Sequence, residues 1–412
     1  MKNNPGLKIF CKLKEDTGEL KLMDKILIIL GAGATRGSGY KLKLPDGRRN
    51  KIPVDKDFLK VAFENKIHKK CQSNRSLRLL YRSFISLMEE FRIIKKEKVI
   101  SNIGLEEVWN TVVLNNKFVQ QNLIYLEVEK LRKCWKEQSE PPQVKKWKRA
   151  DYFLRVLIQK VYGEMIITTT EDNFRKLFAL LKLEKPKPVS FITFNYDLCL
   201  ENSLSKSIHN KDCFYYPNFN YRYNFNRFKR YPIYKLHGSL NWWHGYDGFI
   251  RPNEDILKSI KVTKNRYFKE KSFNSWEKYQ PSIIPMDFLK EEFFNEQGQH
   301  RLHRHYMNLW KQAGIALGEA DTIVIIGYSF PPADPHVRWL MRASQCNLFS
   351  KENKFRFKSI FFVTKCNKDE KETIDTLKTL FTFKYEPTVC MKGFENCFED
   401  LKKWLNEIKK TN

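Results

Sequence analysis

Lys25-Ile26-Leu27-Ile28-Ile29-Leu30-Gly31-Ala32-Gly33 is the stretch on which the fold turns. Its β-branched apolar run is too short for a helix and reads as a strand buried on both faces. The run stops at a glycine pair, where a tight turn lets backbone amides approach a phosphate closely and a following helix presents its positive end. Alone, such a start is shared by many nucleotide folds, and it is also how a plain turn reads. Similar apolar runs recur at Val189 to Phe194, Thr322 to Ile326 and Ser359 to Val363, each closing in a polar or glycine-bearing turn. Strands alternating with helical stretches predict an α/β fold, a parallel sheet with its ligand at the carboxyl edge.

The chain between these strands is uneven. From about Leu59 to Leu183, segments such as Ser76 to Lys98 and Gln120 to Glu137 carry apolar residues at helical spacing with charges between them. This predicts a large helical insertion after the first strand, ended by the breaker Glu184-Lys185-Pro186-Lys187-Pro188. The expected organisation is an N-terminal extension over 1–24, an α/β domain over 25–58 and 189–385, a helical subdomain over 59–188, and a C-terminal helix within 386–412. Cys213 to Tyr231 reads as an aromatic and basic loop packed over a site, although such interleaving also stacks single-stranded bases.

With 412 residues, 42% of them hydrophobic and 30% charged, the composition is globular and long enough for two structural units. No apolar run approaches the ~20 residues that span a bilayer, and Met1-Lys2-Asn3-Asn4-Pro5 lacks the apolar core of a secretion signal. A cytoplasmic protein without membrane contact is expected. The nine cysteines include no Cys-x-x-Cys pair, which argues against a zinc ribbon or a dithiol redox site. A net charge of +28 would suit phosphates, nucleic acid or an acidic partner, and a coding bias toward Lys, Asn, Ile and Phe produces it equally well.

Four motifs carry chemistry. Gly31-Ala32-Gly33-Ala34-Thr35-Arg36 follows the first strand, and Arg36 could add charge to phosphates. Phe194-Asn195-Tyr196-Asp197 ends the second run, as a ligand-facing pair or an Asx-turn. Leu236-His237-Gly238-Ser239 exposes an imidazole with room beside it, and Gly327-Tyr328-Ser329 brings a glycine and a hydroxyl to the same edge. The histidines His300, His303 and His305 would not all share a helix face, and arginines flank them, so no metal site is expected.

The order and form of these motifs resemble the sirtuin superfamily, and within it the bacterial branch that includes antiphage NAD hydrolases. The resemblance covers residues 25–60 and 189–370 and implies a Rossmann-like parallel sheet flanked by helices. It implies that Asn195 and His237 are catalytic. Gly31, Ala32, Gly33, Thr35 and Arg36 would hold NAD at its phosphates, and Asp197 would face the nicotinamide carboxamide. Gly327 and Ser329 would contact ribose or phosphate, and Thr364 and Asn367 the adenosine end.

Cleaving the N-glycosidic bond of NAD needs no protonation of the leaving group, because nicotinamide departs from a cationic nitrogen. The enzyme's work is to orient the ring, stabilise the oxocarbenium-like state and hold a water below the sugar. Deacylating members carry a four-cysteine zinc ribbon that this chain lacks, which favours water as acceptor and predicts no zinc. The expected function is an NAD hydrolase (an NADase) acting as a regulated antiphage effector. The alternatives are an NAD-dependent protein deacylase or ADP-ribosyltransferase, and a non-catalytic nucleotide-sensing or nucleic-acid-binding scaffold. The resemblance allows a homo-oligomer and an activating partner such as a hexameric DNA-translocating ATPase or an Argonaute, and no residue selects between them.

Overall fold

The computed structural model describes residues 25–72, 75–100, 103–122, 142–164, 166–167, 171–183, 188–209, 213–217, 231–245, 250–252, 279–283, 300–331, 334–345, 357, 359–365 and 370–411. The expected extension over 1–24 and most of the aromatic loop, 218–230, lie outside these residues.

Seven parallel strands form the main sheet: β1 (Ile26–Leu30), β2 (Val189–Thr193), β3 (Phe214–Tyr215), β4 (Tyr231–Lys235), β5 (Thr322–Ile326), β6 (Ser359–Val363) and β7 (Thr388–Cys390), in the order β7-β6-β5-β1-β2-β4-β3. The four strands expected from apolar runs are all present, and they are the central ones. Their side chains explain why: β5 and β6 are buried at every position, and β1 at every position after Ile26. A strand covered on both faces has no polar side to alternate with. Helices α1 (Ala32–Arg36), α6 (Asn173–Leu181), α7 (Cys199–Ile208), α8 (His300–Gly318), α9 (Pro335–Ala343), α10 (Glu370–Leu380) and α11 (Phe398–Thr411) accompany the sheet.

Between α1 and α6 the chain makes α2 (Phe58–Glu64), α3 (Arg75–Glu90), α4 (Leu105–Asn122) and α5 (Pro142–Gln159). Helix α3 buries Leu77, Leu80, Tyr81, Phe84, Leu87 and Met88, the three-and-four spacing of one helix face. That face meets α5, where Phe153 contacts the rings of Tyr81 and Phe84. The helix stops eight residues short of the expected Lys98. Arg92 turns to a φ of 56°, and Lys96 and Glu97, at 49° and 60°, form the tip of a hairpin joining Ile94–Lys95 to Lys98–Val99. Two consecutive left-handed residues match the twist of paired strands, so local turn chemistry overrides the helical spacing here. Near the C-terminus, the helix expected within 386–412 is α11, preceded by a single 3-10 turn, Phe394–Asn396. Among the described residues no helix is long and apolar enough to cross a membrane.

The sheet's centre closes through glycine. Gly33 N donates to Gly327 O at 3.0 Å, and a Cβ built on Gly327 would stand 2.2 Å from Ala34 N. Gly327 also has a φ of 64°. Gly327→Ala should therefore lower unfolding free energy by about 2 kcal/mol or more. Gly47→Ala has a φ of 86° but nothing within 4 Å of its Cβ, and should cost about 1 kcal/mol. Urea unfolding of the two variants separates the collision from the backbone strain.

Candidate active site

Strand register decides which residues meet. The last rungs pair Leu30 with Thr193 and with Ile326, and Thr193 with Lys235. Gly31, Phe194, Leu236 and Gly327 thus lie one residue past their strand ends, and Ala32, Asn195, His237 and Tyr328 two past. The sequence motifs share one edge because the strands are parallel and in step.

The glycine turn does less for a ligand than its sequence suggests. Gly31 N donates to Ile326 O and Gly33 N to Gly327 O, each at 3.0 Å. A Cβ on Gly31 would fall 2.5 Å from Gly327 O, and one on Gly33 2.8 Å from Gly327 Cα. These glycines let two backbone turns touch, and two of the three turn amides are spent on that contact. Arg36 Nη1 pairs with Asp57 Oδ2 at 2.6 Å, and Asp57 also accepts from Val54 N. Ser329 is exposed. Thr364 is buried, with its amide donating to Cys390 O and its carbonyl accepting from Gly393 N. Asn367 lies outside the described residues.

Thr35, one turn into α1, organises the rest. Asn195 Nδ2 donates to Gly31 O at 2.8 Å and to Thr35 Oγ1 at 2.9 Å. Thr35 Oγ1 donates in turn to Asp197 Oδ2 at 2.8 Å, while Asp197 Oδ1 accepts from Cys199 N at 3.0 Å. The Asx-turn reading of Asp197 and its place beside Asn195 therefore hold together. With both amide hydrogens of Asn195 committed, its Oδ1 is the polar atom left to the adjoining cleft. Below this turn lies an ion pair that sequence reasoning missed. Lys235 Nζ donates to Asp197 O and to Glu201 Oε1, the latter at 3.0 Å, with both side chains essentially fully buried. A lysine at the end of an apolar strand was the available signal.

His237 is fully buried, and its Nε2 lies 3.2 Å from Asp334 Oδ2, a carboxylate equally buried. Asp334 accepts from Tyr328 OH at 3.1 Å and caps α9 through Val337 N at 3.4 Å. The Asp-Pro pair at 334–335 signals a helix start in the sequence, but nothing local couples it to a histidine 97 positions earlier. The imidazole packs against the rings of Phe194 and Tyr196, with centroids at 5.2 and 6.5 Å.

Phe194 and Tyr196 also line a cleft of about 590 Å³, open mouth included, together with Ala32, Thr35, Asn195 and Asp197. Its other wall comes from Ile52, Pro53 and Asp55 and from Leu105, Glu106, Trp109 and Tyr162. His237 is not in that lining; it reaches the cleft through the Phe194 and Tyr196 rings. Burial raises the Asp55 carboxyl, offset by the bond it accepts from Glu106 N at 2.7 Å. Burial also raises the Tyr196 phenol, and the charges of Glu106 and Asp55 push it further. A more open depression on α9, between Pro335, Arg338, Trp339 and Arg342, gathers none of the site residues.

Residues 189–381 match the family model described as the SIR2-like domain. The match spans Asn195, Asp197, His237, Gly327, Ser329 and Thr364 and begins after the glycine turn and the helical segment. Two solved structures from work on the structural basis of sirtuin substrate affinity are similar over 97% of this chain and 98% of theirs. Their identities are 11% and 12%, with TM-scores of 0.33 and 0.34. No curated protein matches the chain.

Among the described residues, no group of three His, Cys, Asp or Glu could hold a metal ion. The three clustered histidines all lie in α8, where His305 packs beside Trp242 and burial lowers its pKa to about 4. The unfolded chain protonates this histidine near 6.5 while the folded one stays neutral to about 4. Stability is therefore lost as pH falls through that window, by on the order of 1 to 2 kcal/mol at pH 5. His305→Asn should flatten this part of a melting-temperature profile. At the site itself, Thr35→Val strands the Asn195 amide and the Asp197 carboxylate and should cost about 1 to 3 kcal/mol in urea unfolding. Thr35→Ser, which restores the hydroxyl, should stay near wild type.

Proposed function

We propose that this chain binds NAD at the carboxyl edge of the sheet and hydrolyses it to nicotinamide and ADP-ribose. The observation that carries the reading is the locked amide of Asn195. Gly31 O and Thr35 Oγ1 hold its nitrogen, which leaves Oδ1 beside the cleft to accept from a ribose hydroxyl or a water. The SIR2-like domain supports NAD as the substrate.

NAD brings its own leaving group, a ring already cationic at the scissile nitrogen. The chain supplies position and charge. Asn195 orients the water and the ribose. Asp197, held by Thr35 and Cys199 N, has lone pairs remaining for the carboxamide. His237 takes a proton from a ribose hydroxyl or from the water, and the Asp334 carboxylate at 3.2 Å stabilises the imidazolium that results. Since His237 is fully buried, that transfer requires the Tyr196 ring to shift or a water to relay the proton. In the glycine turn, Ala32 borders the cleft, so phosphate contact falls to its backbone more than to Gly31 or Gly33.

The motif forms Phe194-Asn195-Tyr196-Asp197 and Gly327-Tyr328-Ser329-Phe330 support a role as a cytoplasmic antiphage effector that depletes NAD. Such an activity drains the host cell and so demands restraint, lifted by self-assembly or by a partner.

Purified protein incubated with NAD, with and without candidate activators, should release nicotinamide and free ADP-ribose on chromatography. Adding an acetylated peptide should yield no acetyl-ADP-ribose. Asn195→Ala and His237→Ala should each cut turnover by about a hundredfold or more. Absence of nicotinamide under every condition, or an Asn195→Ala variant as active as wild type, would sink the proposal.

A further inference from the structure

Helix α9 has two faces of opposite character. Val337, Leu340, Met341 and Ala343 are buried. Pro335, Arg338, Trp339 and Arg342, spaced i, i+3, i+4 and i+7, form the other face and line an open depression of about 660 Å³, mouth included. Among the described residues no Asp or Glu lines it, and none of the four borders the cleft.

Trp339 is 54% exposed, although burying a ring of that size removes more apolar area from water than most side chains can. The exposed aromatic rings among the described residues are Phe91, Trp339 and Tyr385. Phe91 meets Trp147 edge to face, with centroids at 5.7 Å. Trp339 and Tyr385 stand instead beside cations. Arg338 and Arg342 share the face of Trp339, and Lys384 Nζ lies 5.1 Å from the Tyr385 ring centroid. One bond, from Nη1 to Phe330 O at 3.1 Å, orients the Arg338 guanidinium, a group with five donors. The two aromatic units sit on joined elements. Arg342 Nε donates to Thr379 O at 2.9 Å near the end of α10, and Gln345 Nε2 donates to Met341 O and to Leu380 O, each at 2.7 Å. The acid next to Tyr385, Glu386, is paired with Lys378 at 3.2 Å.

An exposed ring with guanidinia within one helical turn offers the two things a nucleotide needs, a face for the base and cations for its phosphates. A protein or membrane partner calls for a broader apolar patch around the ring than Pro335 supplies. In a duplex the base faces are already stacked, so such a ring selects a single strand. The excess of 75 lysines and arginines over 47 acids favours a polyanion over a lone nucleotide. We propose that the outer face of α9 binds single-stranded nucleic acid, with Trp339 stacked on a base and Arg338 and Arg342 on the phosphates beside it. Tyr385 with Lys384 is a second contact of the same kind. This site is separate from the NAD cleft, and either reading can fail alone.

Fluorescence anisotropy on the full chain tests this with a labelled thymidylate strand of about 20 nucleotides and an abasic deoxyribose-phosphate strand of the same length and charge. The thymidylate strand should bind about tenfold more tightly. Trp339→Ala should bring that ratio close to one without changing the dependence of affinity on salt, and Trp339→Phe should keep most of it. Replacing both arginines, Arg338→Gln with Arg342→Gln, should weaken the two strands alike and flatten the salt dependence. Melting curves confirm that each variant is folded, and Trp339→Leu, which removes the flat ring but keeps bulk, decides if Trp339→Ala is not. Equal binding of the two strands, a duplex bound as tightly as the thymidylate strand, or a ratio unchanged by Trp339→Ala overturns the proposal. So does Trp339-dependent binding of polyglutamate without a preference for bases, which assigns the face to an acidic protein.

Discussion

A backbone contact with no side chain in it holds the centre of this molecule together. The turn after β1 and the turn after β5 meet through Gly33 N and Gly327 O, with hydrogens where Cβ atoms would collide. That approach sets where α1 begins and hence where Thr35 stands. The Thr35 hydroxyl then fixes Asn195 on one side and Asp197 on the other. The glycines act on the site at second hand, by letting the turns come close enough for a threonine to reach the next strand.

Beneath the site the protein buries an ion pair, Lys235 with Glu201, and a histidine–carboxylate contact, His237 with Asp334. Burying ions costs desolvation that their attraction only partly offsets, so such pairs are weak sources of stability. Their value is directional. Lys235 grips the Asp197 carbonyl, and Tyr216 OH donates to Glu201 at 3.0 Å. Asp334 joins the histidine, the start of α9 and the Tyr328 hydroxyl. Each pair ties a strand-end turn to an element distant in sequence, and the turns that carry the polar residues cannot rotate without breaking it.

Much of the fold was legible because its central strands are buried on both faces and read as unbroken apolar runs. The weaker elements were not. The hairpin at 94–99 depends on left-handed backbone at Lys96 and Glu97, residue types that do not advertise it. The two-residue β3 is shorter than any periodic signal. Asn195, Asp197 and His237 could be picked out from motif order, but Arg36 looked free for phosphates when an acid 21 residues away takes it.

The sequence by itself determined the parallel strands, their order along the chain and the polar residues at their ends, because burial and turn chemistry are local and repeat with short periods. Only the tertiary structure decided which of those residues are committed and which face the cleft. Asp334 became the partner of His237, Thr35 the bridge between Asn195 and Asp197, and Glu106 and Trp109 the far wall of the cleft. The pairs formed by His237, Asn195 and Asp197 join residues between 97 and 162 positions apart. Such pairings arise from strand register and helix packing, which leave no periodic trace in the residues they bring together.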